Sequence, residues 1–250
     1  MGASVPDRSS WRTSWMDLNS PMLVAISAAW MRPEVLKAWC EHTKGLGFDA
    51  VIVCVSTEEG LYSDWLVWNA GLTRAWKPNN PLSGKFNEAM RVAMDMGGTR
   101  FMILPSDDFA SQAWVDEART STLDYMYPHT CGIFDAYTQQ AYKITKLSFG
   151  TLKFGAGRVV SRRVVEACGG TLWPENHNRG LDGASHEIIK RAGFTHTVVE
   201  TPGIPITDVK TKDNLWAYAT WQGSGSNITP DEALHMCSPS VRAQSDALKQ

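Results

Sequence analysis

The sequence carries no excess of charge: 24 Lys and Arg stand against 26 Asp and Glu in 250 residues, a formal net charge of −2. That excludes a global electrostatic pull toward nucleic acid or acidic membranes and leaves only a local patch open. It has no CxxC pair. Its five cysteines, at 40, 54, 131, 168 and 237, are scattered and odd in number. Such usage points to reduced thiols in a cytosol-like compartment, serving mostly as small buried hydrophobes. No apolar run reaches the roughly 18 residues a membrane helix needs. The opening MGASVPDRSSWRTSW has no apolar signal-peptide core, and Pro6 stands where N-myristoylation would need Ser or Thr. The expectation is a cytoplasmic protein with no membrane span. Internal repeats and long low-complexity tracts are absent too.

Two familiar chemical signatures are incomplete. GAGRVVS lacks the third glycine of a dinucleotide loop and lies late in the chain, not after a first strand. His186-Glu187 would need a second histidine where Lys190 stands to make a zinc motif. The histidines at 42, 129, 177, 196 and 235 read as surface or packing residues. Asn-Ile-Thr at 227 is a glycosylation site only in a secreted protein.

What is present is an alternation of strands and helices. MLVAISAA (22–29) reads as a buried strand. Pro33 and Glu34 then open a helix that ends at Lys44-Gly45. AVIVCVS (50–56) is a second buried strand, followed by a Trp-rich irregular stretch to about residue 80. Phe86, Ala89, Met90 and Ala93 recur at helical spacing up to Gly97-Gly98, and RFMILP (100–105) is the next strand. Continuous apolar strands separated by helices predict a parallel sheet covered on both faces, with ligands beyond the strands' carboxyl ends.

The second half differs. Residues 136–165 hold six basic residues (Lys143, Lys146, Lys153, Arg158, Arg162, Arg163) and no acidic one, with Tyr142, Phe149 and Phe154 among them. Charges and rings so mixed suit a polyanion, or simply face solvent. RVVSRRVVEACGG (158–170) predicts a strand or turn entering a helix. DGASHEIIKRAG (182–193) predicts a short helix with Asp182 as N-cap. The division expected is a flexible tail over 1–20, one catalytic domain over 21–222, and a linker and C-terminal segment over 223–250.

The stretch MILPSDDFAS (102–111) poses the chemical question, because a buried-type strand runs into two adjacent carboxylates, Asp107 and Asp108. Carboxylates there can hold a hard divalent cation, or one of them can cap a helix near 111–119. Both fit the residues.

The run GKFNEAMRVAMDMGGTRFMILPSDDF resembles the centre of family 2 glycosyltransferases of the GT-A fold, where a helix leads to a strand ending in an Asp-x-Asp motif. LVAISAAWMRPEVLKAWCEHT is similar to that family's first strand and helix. GAGRVVSRRVVEACGG resembles its later small-residue loop, and LDGASHEIIKRAGF the helix opened by its Glu-Asp motif. The likeness runs in family order over roughly 21 to 200. It implies an α/β chain with a GT-A-type (Rossmann-like), mostly parallel sheet flanked by helices in a single catalytic domain. It further implies an inverting hexosyl or pentosyl transfer from a nucleotide-diphosphate sugar, UDP-sugar being the expected donor. The acceptor hydroxyl would belong to a glycan, a small molecule or a modified DNA, such as a hydroxymethylated base.

Carried over residue by residue, the resemblance gives Asp107 and Asp108 to Mn2+ or Mg2+ on the diphosphate, with Asp208 as a further ligand. Glu58 or Glu59 would contact the nucleoside, Lys85 and Asn87 would lie near the nucleotide, Arg158 would bind the donor, and Asp182 would be the general base. Two departures stand out: Pro105 replaces the first Asp of the motif in many members, and Leu181 replaces the Glu of Glu-Asp. The alternatives are a sugar nucleotidyltransferase and a non-catalytic nucleotide-sugar-binding module. The first needs a Gly-rich phosphate loop after the first strand, where this chain has SAAWMRPE.

Overall fold

The computed structural model describes residues 21–56, 58, 61–145, 155–211, 225–235, 237 and 241–242. The tail expected over 1–20, Glu59, Lys146, Phe149, Lys153, Phe154 and most of the segment after 222 lie outside the described residues.

In chain order the elements are β1 (Leu23–Ala28), α1 (Pro33–Lys44), β2 (Ala50–Ser56), α2 (Leu61–Asn69), β3 (Thr73–Lys77), α3 (Leu82–Asp95) and β4 (Arg100–Ile103). Then come β5 (Asp108–Ala110), α4 (Gln112–Thr120), β6 (Tyr125–Pro128), β7 (Thr130–Asp135), β8 (Gln140–Thr145), β9 (Val159–Ser161) and α5 (Arg162–Ala167). The last are α6 (Leu181–Arg191), β10 (Thr197–Val199), β11 (Ile206–Lys210), β12 (Ser226–Ile228) and α7 (Pro230–Leu234).

Alternation along the central strands feeds two cores. Leu23 and Ala25 of β1, Val51, Val53 and Val55 of β2 and Met102 of β4 join one cluster, with Leu36 and Trp39 of α1. Their neighbours Val24, Ile26, Ile52, Cys54, Phe101 and Ile103 join the other, with Phe86, Ala89, Met90 and Ala93 of α3. A period of two with both faces apolar is what a strand between two helix layers requires. The sheet runs β10-β6-β9-β4-β1-β2-β3. β1, β2, β3 and β4 are mutually parallel, and antiparallel β9 joins β4 to β6. From β1 the chain moves outward through β2 and β3, then returns to β4 on β1's other side. The crevice for a ligand opens at that reversal, beyond the carboxyl ends of β1 and β4.

The mostly parallel, helix-flanked α/β sheet is therefore as expected. A second sheet, β12-β8-β7-β11-β5, is an addition. It is antiparallel except for β7 against β11, and its two edge strands, β5 and β12, have only 3 residues each. The Trp-rich stretch expected to be irregular contains α2 and the edge strand β3. Their signal is hidden because Leu61, Tyr62, Trp65, Trp68 and Trp76 are exposed, so no one-sided apolar stripe marks either element. All five cysteines are free thiols, four of them buried.

Candidate active site

The chain after β4 settles the capping question. Ser111, not an aspartate, caps α4: its hydroxyl accepts from the Trp114 N–H at 3.1 Å. Asp107 and Asp108 turn instead toward β11. The Val209 N–H donates to the Asp107 carbonyl at 2.8 Å, and Asp108 pairs in antiparallel register with Asp208. The indole of Trp39 on α1 donates to the Asp108 carbonyl at 2.8 Å, which ties β5 to the first helix. Two adjacent carboxylates and a third, Asp208, distant in sequence are thus gathered at the switch point.

Two cations meet them. Arg32 Nη1 lies 2.9 Å from Asp107 Oδ2, and Lys210 Nζ lies 2.5 Å from Asp208 Oδ2. Lys210 and Asp208 share a face of β11 because strand side chains alternate. Arg32 arrives differently. Both Met31 and Arg32 take left-handed backbone, with φ of 54° and 53°, before Pro33 begins α1. Such residues cost on the order of 1–3 kcal/mol each and persist where surroundings dictate them.

Burial would raise Asp107, but Arg32 and then Lys210 hold it below the usual carboxylate range. Burial pushes Asp108 well above that range, with Asp208 and Asp107 adding to the effect. Asp208 is pushed by burial to about 6 against the pull of Lys210. Burial works against the Lys210 ammonium, yet Asp208 and Asp107 hold it firmly protonated.

A divalent ion needs oxygen donors free to turn toward it. Among the described residues, Asp108 Oδ1 and Asp208 Oδ1 are buried without a hydrogen-bond partner, and hard oxygens are the right chemistry. Against that, Asp107 and Asp208 are already ion-paired. Among the described residues no group of three or more His, Cys, Asp and Glu side chains could hold a metal ion. In this arrangement the donor set does not fit a resident ion.

Asp182 is placed by α6. It sits in the first turn, not at the cap; the N-cap is Gly180, whose φ of 66° suits glycine. The Asp182 carboxylate accepts a hydrogen bond from the Gly155 N–H. A Cβ on Gly155 would lie 1.8 Å from Asp182 Oδ1, so only glycine permits this approach. Asp182 keeps solvent exposure, yet the protein crowded around it raises its pKa; Arg158 and the Gly155 N–H pull the other way. A carboxylate that reaches solvent and has a raised pKa is suited to take a proton.

Arg158 is completely buried beside it. Its Nη1 is 3.4 Å from both the Tyr127 hydroxyl and the Asp182 carbonyl, and the guanidinium lies 5.8 Å and 6.0 Å from the rings of Tyr127 and Trp173. Among the described residues its Nε and Nη2 have no hydrogen-bond partner. Tyr125 and Tyr127 also meet His186 Nδ1, at 3.0 and 3.4 Å, one turn beyond Asp182 on α6.

The other expected residues divide. Glu58 is exposed beyond the end of β2 and accepts from the Ser56 hydroxyl and the Asn79 N–H. Lys85 is buried and donates to the Ala29 carbonyl and, at 3.4 Å, to Asn79 Oδ1. Asn79 therefore links the two, and nothing in its local sequence marked it. Asn87 is committed elsewhere: its amide donates to the Trp173 carbonyl at 2.8 Å and accepts from the Trp173 N–H at 3.2 Å. Of the basic stretch, Arg158 is buried, Arg162 pairs with Glu166 and Arg163 with Asp124. Of these three, Arg163 stays largely exposed despite its pairing, while Arg158 faces the interior.

No family model matches the chain, and no curated protein resembles it in sequence. Solved structures do resemble it in shape. S. aureus TarS 1-349 shares 13% identity over 75% of this chain and 60% of that one, with a TM-score of 0.51. This chain thus spans less than two thirds of that structure. Glucosyl-3-phosphoglycerate synthase from Mycobacterium tuberculosis, in complex with Mn2+, uridine diphosphate and glucosyl-3-phosphoglycerate, shares 10% identity over 90% of this chain and 85% of that one, at a TM-score of 0.52. The same enzyme with Mg2+ and uridine diphosphate shares 11% identity over 76% and 74%, at 0.50. At such identities the likeness speaks for the fold, and the fold is of the GT-A glycosyltransferase type. No described helix is long and apolar enough to cross a membrane.

Proposed function

We propose that this GT-A-fold chain is a glycosyltransferase that moves a sugar from a nucleotide-diphosphate sugar, UDP-sugar first among candidates, to an acceptor hydroxyl with inversion. The observation that carries the reading is Asp182: an exposed carboxylate in the first turn of α6, fixed by the Gly155 N–H and raised in pKa by the protein around it. In this reading the acceptor hydroxyl sits within hydrogen-bond reach of Asp182 and loses its proton there as its oxygen attacks the anomeric carbon. The bond from that carbon to the diphosphate breaks, and the departing nucleotide keeps the electron pair. We assign the nucleoside to the linked group formed by Glu58 just past β2, Asn79 just past β3, and the Lys85 ammonium of α3 at the Ala29 carbonyl past β1. Arg158 backs Asp182 and favours its ionised form.

Asn87 supports this only indirectly, by tying α3 to Trp173. The Mn2+ or Mg2+ expected on Asp107, Asp108 and Asp208 takes no part in the step as written. Neither a glycan, a small molecule nor a modified DNA base is favoured as acceptor by a specific contact. A nucleotidyltransferase is disfavoured because SAAWMRPE leads from β1 into α1 with no glycine to cradle a triphosphate.

The test is a thermal-shift panel of nucleotide sugars, followed by assay of free nucleoside diphosphate from those that bind. A nucleotide sugar should raise the melting temperature and turn over to nucleoside diphosphate. Release of pyrophosphate from a nucleoside triphosphate and a sugar phosphate would instead identify a nucleotidyltransferase. Binding with no turnover on any acceptor would identify a binding module.

A further inference from the structure

We infer that Arg32 and Lys210 are the cations that hold the donor's diphosphate, so that this site binds a nucleoside diphosphate without a divalent metal. The inference rests on the transferase reading and names how its donor is held.

Each cation is oriented by a carboxylate, Arg32 by Asp107 at 2.9 Å and Lys210 by Asp208 at 2.5 Å. Neither pair is a surface accident. The side chains of Lys210 and Asp208 are 8% and 7% exposed, and those of Arg32 and Asp107 are 17% and 15% exposed. The backbone at Met31 and Arg32 is left-handed at two successive non-glycine residues, a conformation that the surrounding structure must enforce. It sets a guanidinium at the N-terminus of α1, where the helix dipole disfavours positive charge and Arg32 makes no capping bond. Local helix chemistry therefore gives no reason for an arginine here. A phosphate does: both the helix N-terminus and the guanidinium attract it.

The donors are also in surplus. A guanidinium has five N–H groups and an ammonium three, and one carboxylate contact leaves most of them to point elsewhere. Asp107 and Asp208 would then do for two side-chain cations what they would otherwise do for an ion, fixing positive charge against the phosphates. A divalent cation entering between them would have to part both pairs and stand beside two buried positive charges, which is strongly unfavourable.

Titration calorimetry with uridine diphosphate tests this, run on the full chain in excess EDTA and again in millimolar Mn2+. The wild type should bind in both, with affinities within about threefold of each other. Arg32→Gln and Lys210→Met should each weaken binding by about tenfold or more in EDTA, as expected for loss of a charged hydrogen-bond donor. Lys210→Arg should recover part of that loss. Circular dichroism checks that the variants are folded; should Lys210→Met not fold, Arg32→Gln, at the more exposed pair, decides alone. Binding that needs Mn2+, or variants that bind as the wild type does, would overturn the inference and leave the transferase reading standing. Failure to bind in either condition, with the other nucleoside diphosphates failing too, would overturn both.

Discussion

The molecule holds carboxylates in two ways a short distance apart in the fold. Beyond β4, three aspartates are gathered by strand register and two of them are matched with cations, Arg32 and Lys210. At the start of α6, Asp182 has no ion-pair partner at contact distance among the described residues; a backbone N–H fixes it, and Arg158 reaches its carbonyl. The first arrangement spends its charge on holding position, and the second keeps a carboxylate open to a proton. That contrast assigns their roles: the paired cluster suits the binding of an anion, and Asp182 suits general-base chemistry.

Removing one member of the buried pair should break the first arrangement hardest. Lys210→Met leaves Asp208 buried and unpaired and should lower unfolding free energy by about 3 kcal/mol, read from urea denaturation. Stability near that of the wild type would mean that the pair is not held as described. The second arrangement is most sensitive to displacement. Gly155→Ala puts a methyl group where Asp182 Oδ1 lies, and should cut kcat by about tenfold to a hundredfold through misplacement of the base. Its stability cost should be about 1–3 kcal/mol. An unchanged kcat would detach Gly155 from the mechanism.

A pH comparison sharpens the contrast further. Asp208 is raised from 3.8 to about 6 in the folded chain, so the folded state binds its proton more tightly than the unfolded one. Its contribution is therefore most favourable below about pH 4 and is lost as pH rises through 6. His42, buried with a lowered pKa, acts in the opposite sense, which comparison with a variant cancels. Relative to Asp208→Asn, the wild type should lose stability between pH 4 and 7, measured by urea midpoints. A constant difference across that range would contradict the raised value. The smallest effect separates capping from binding: Ser111→Ala should cost about 1 kcal/mol by loosening the start of α4, and nucleotide affinity should not move.

The sequence made the central scaffold legible because β1, α1, β2, α3 and β4 carry strong periodic signals and clear stops. It also made legible that Asp107 and Asp108 follow a buried strand, although Asp108 itself begins the short β5, and that Asp182 stands at the start of a helix. It did not show the company those residues keep. Lys210 could have been read from its i, i+2 relation to Asp208, had the strand been recognised. Arg32 was visible as part of the helix start, but its pairing depends on a left-handed turn no local pattern announces. Asn87 was placed near the nucleotide by resemblance, and its bonding to Trp173, 86 positions away, is something no local pattern shows. The exposed aromatics of α2 concealed a helix for the same reason that they are exposed: what covers an apolar face is not written beside it.

The most direct measurement is made on Asp182→Asn, with nucleotide affinity and turnover determined on the same preparation. Asn keeps the side chain's shape and its place in the first turn but cannot take the acceptor's proton. Uridine diphosphate affinity should match the wild type while kcat for sugar transfer falls about a hundredfold or more. Turnover close to the wild-type rate would contradict the account, placing the base elsewhere and leaving Asp182 a structural residue.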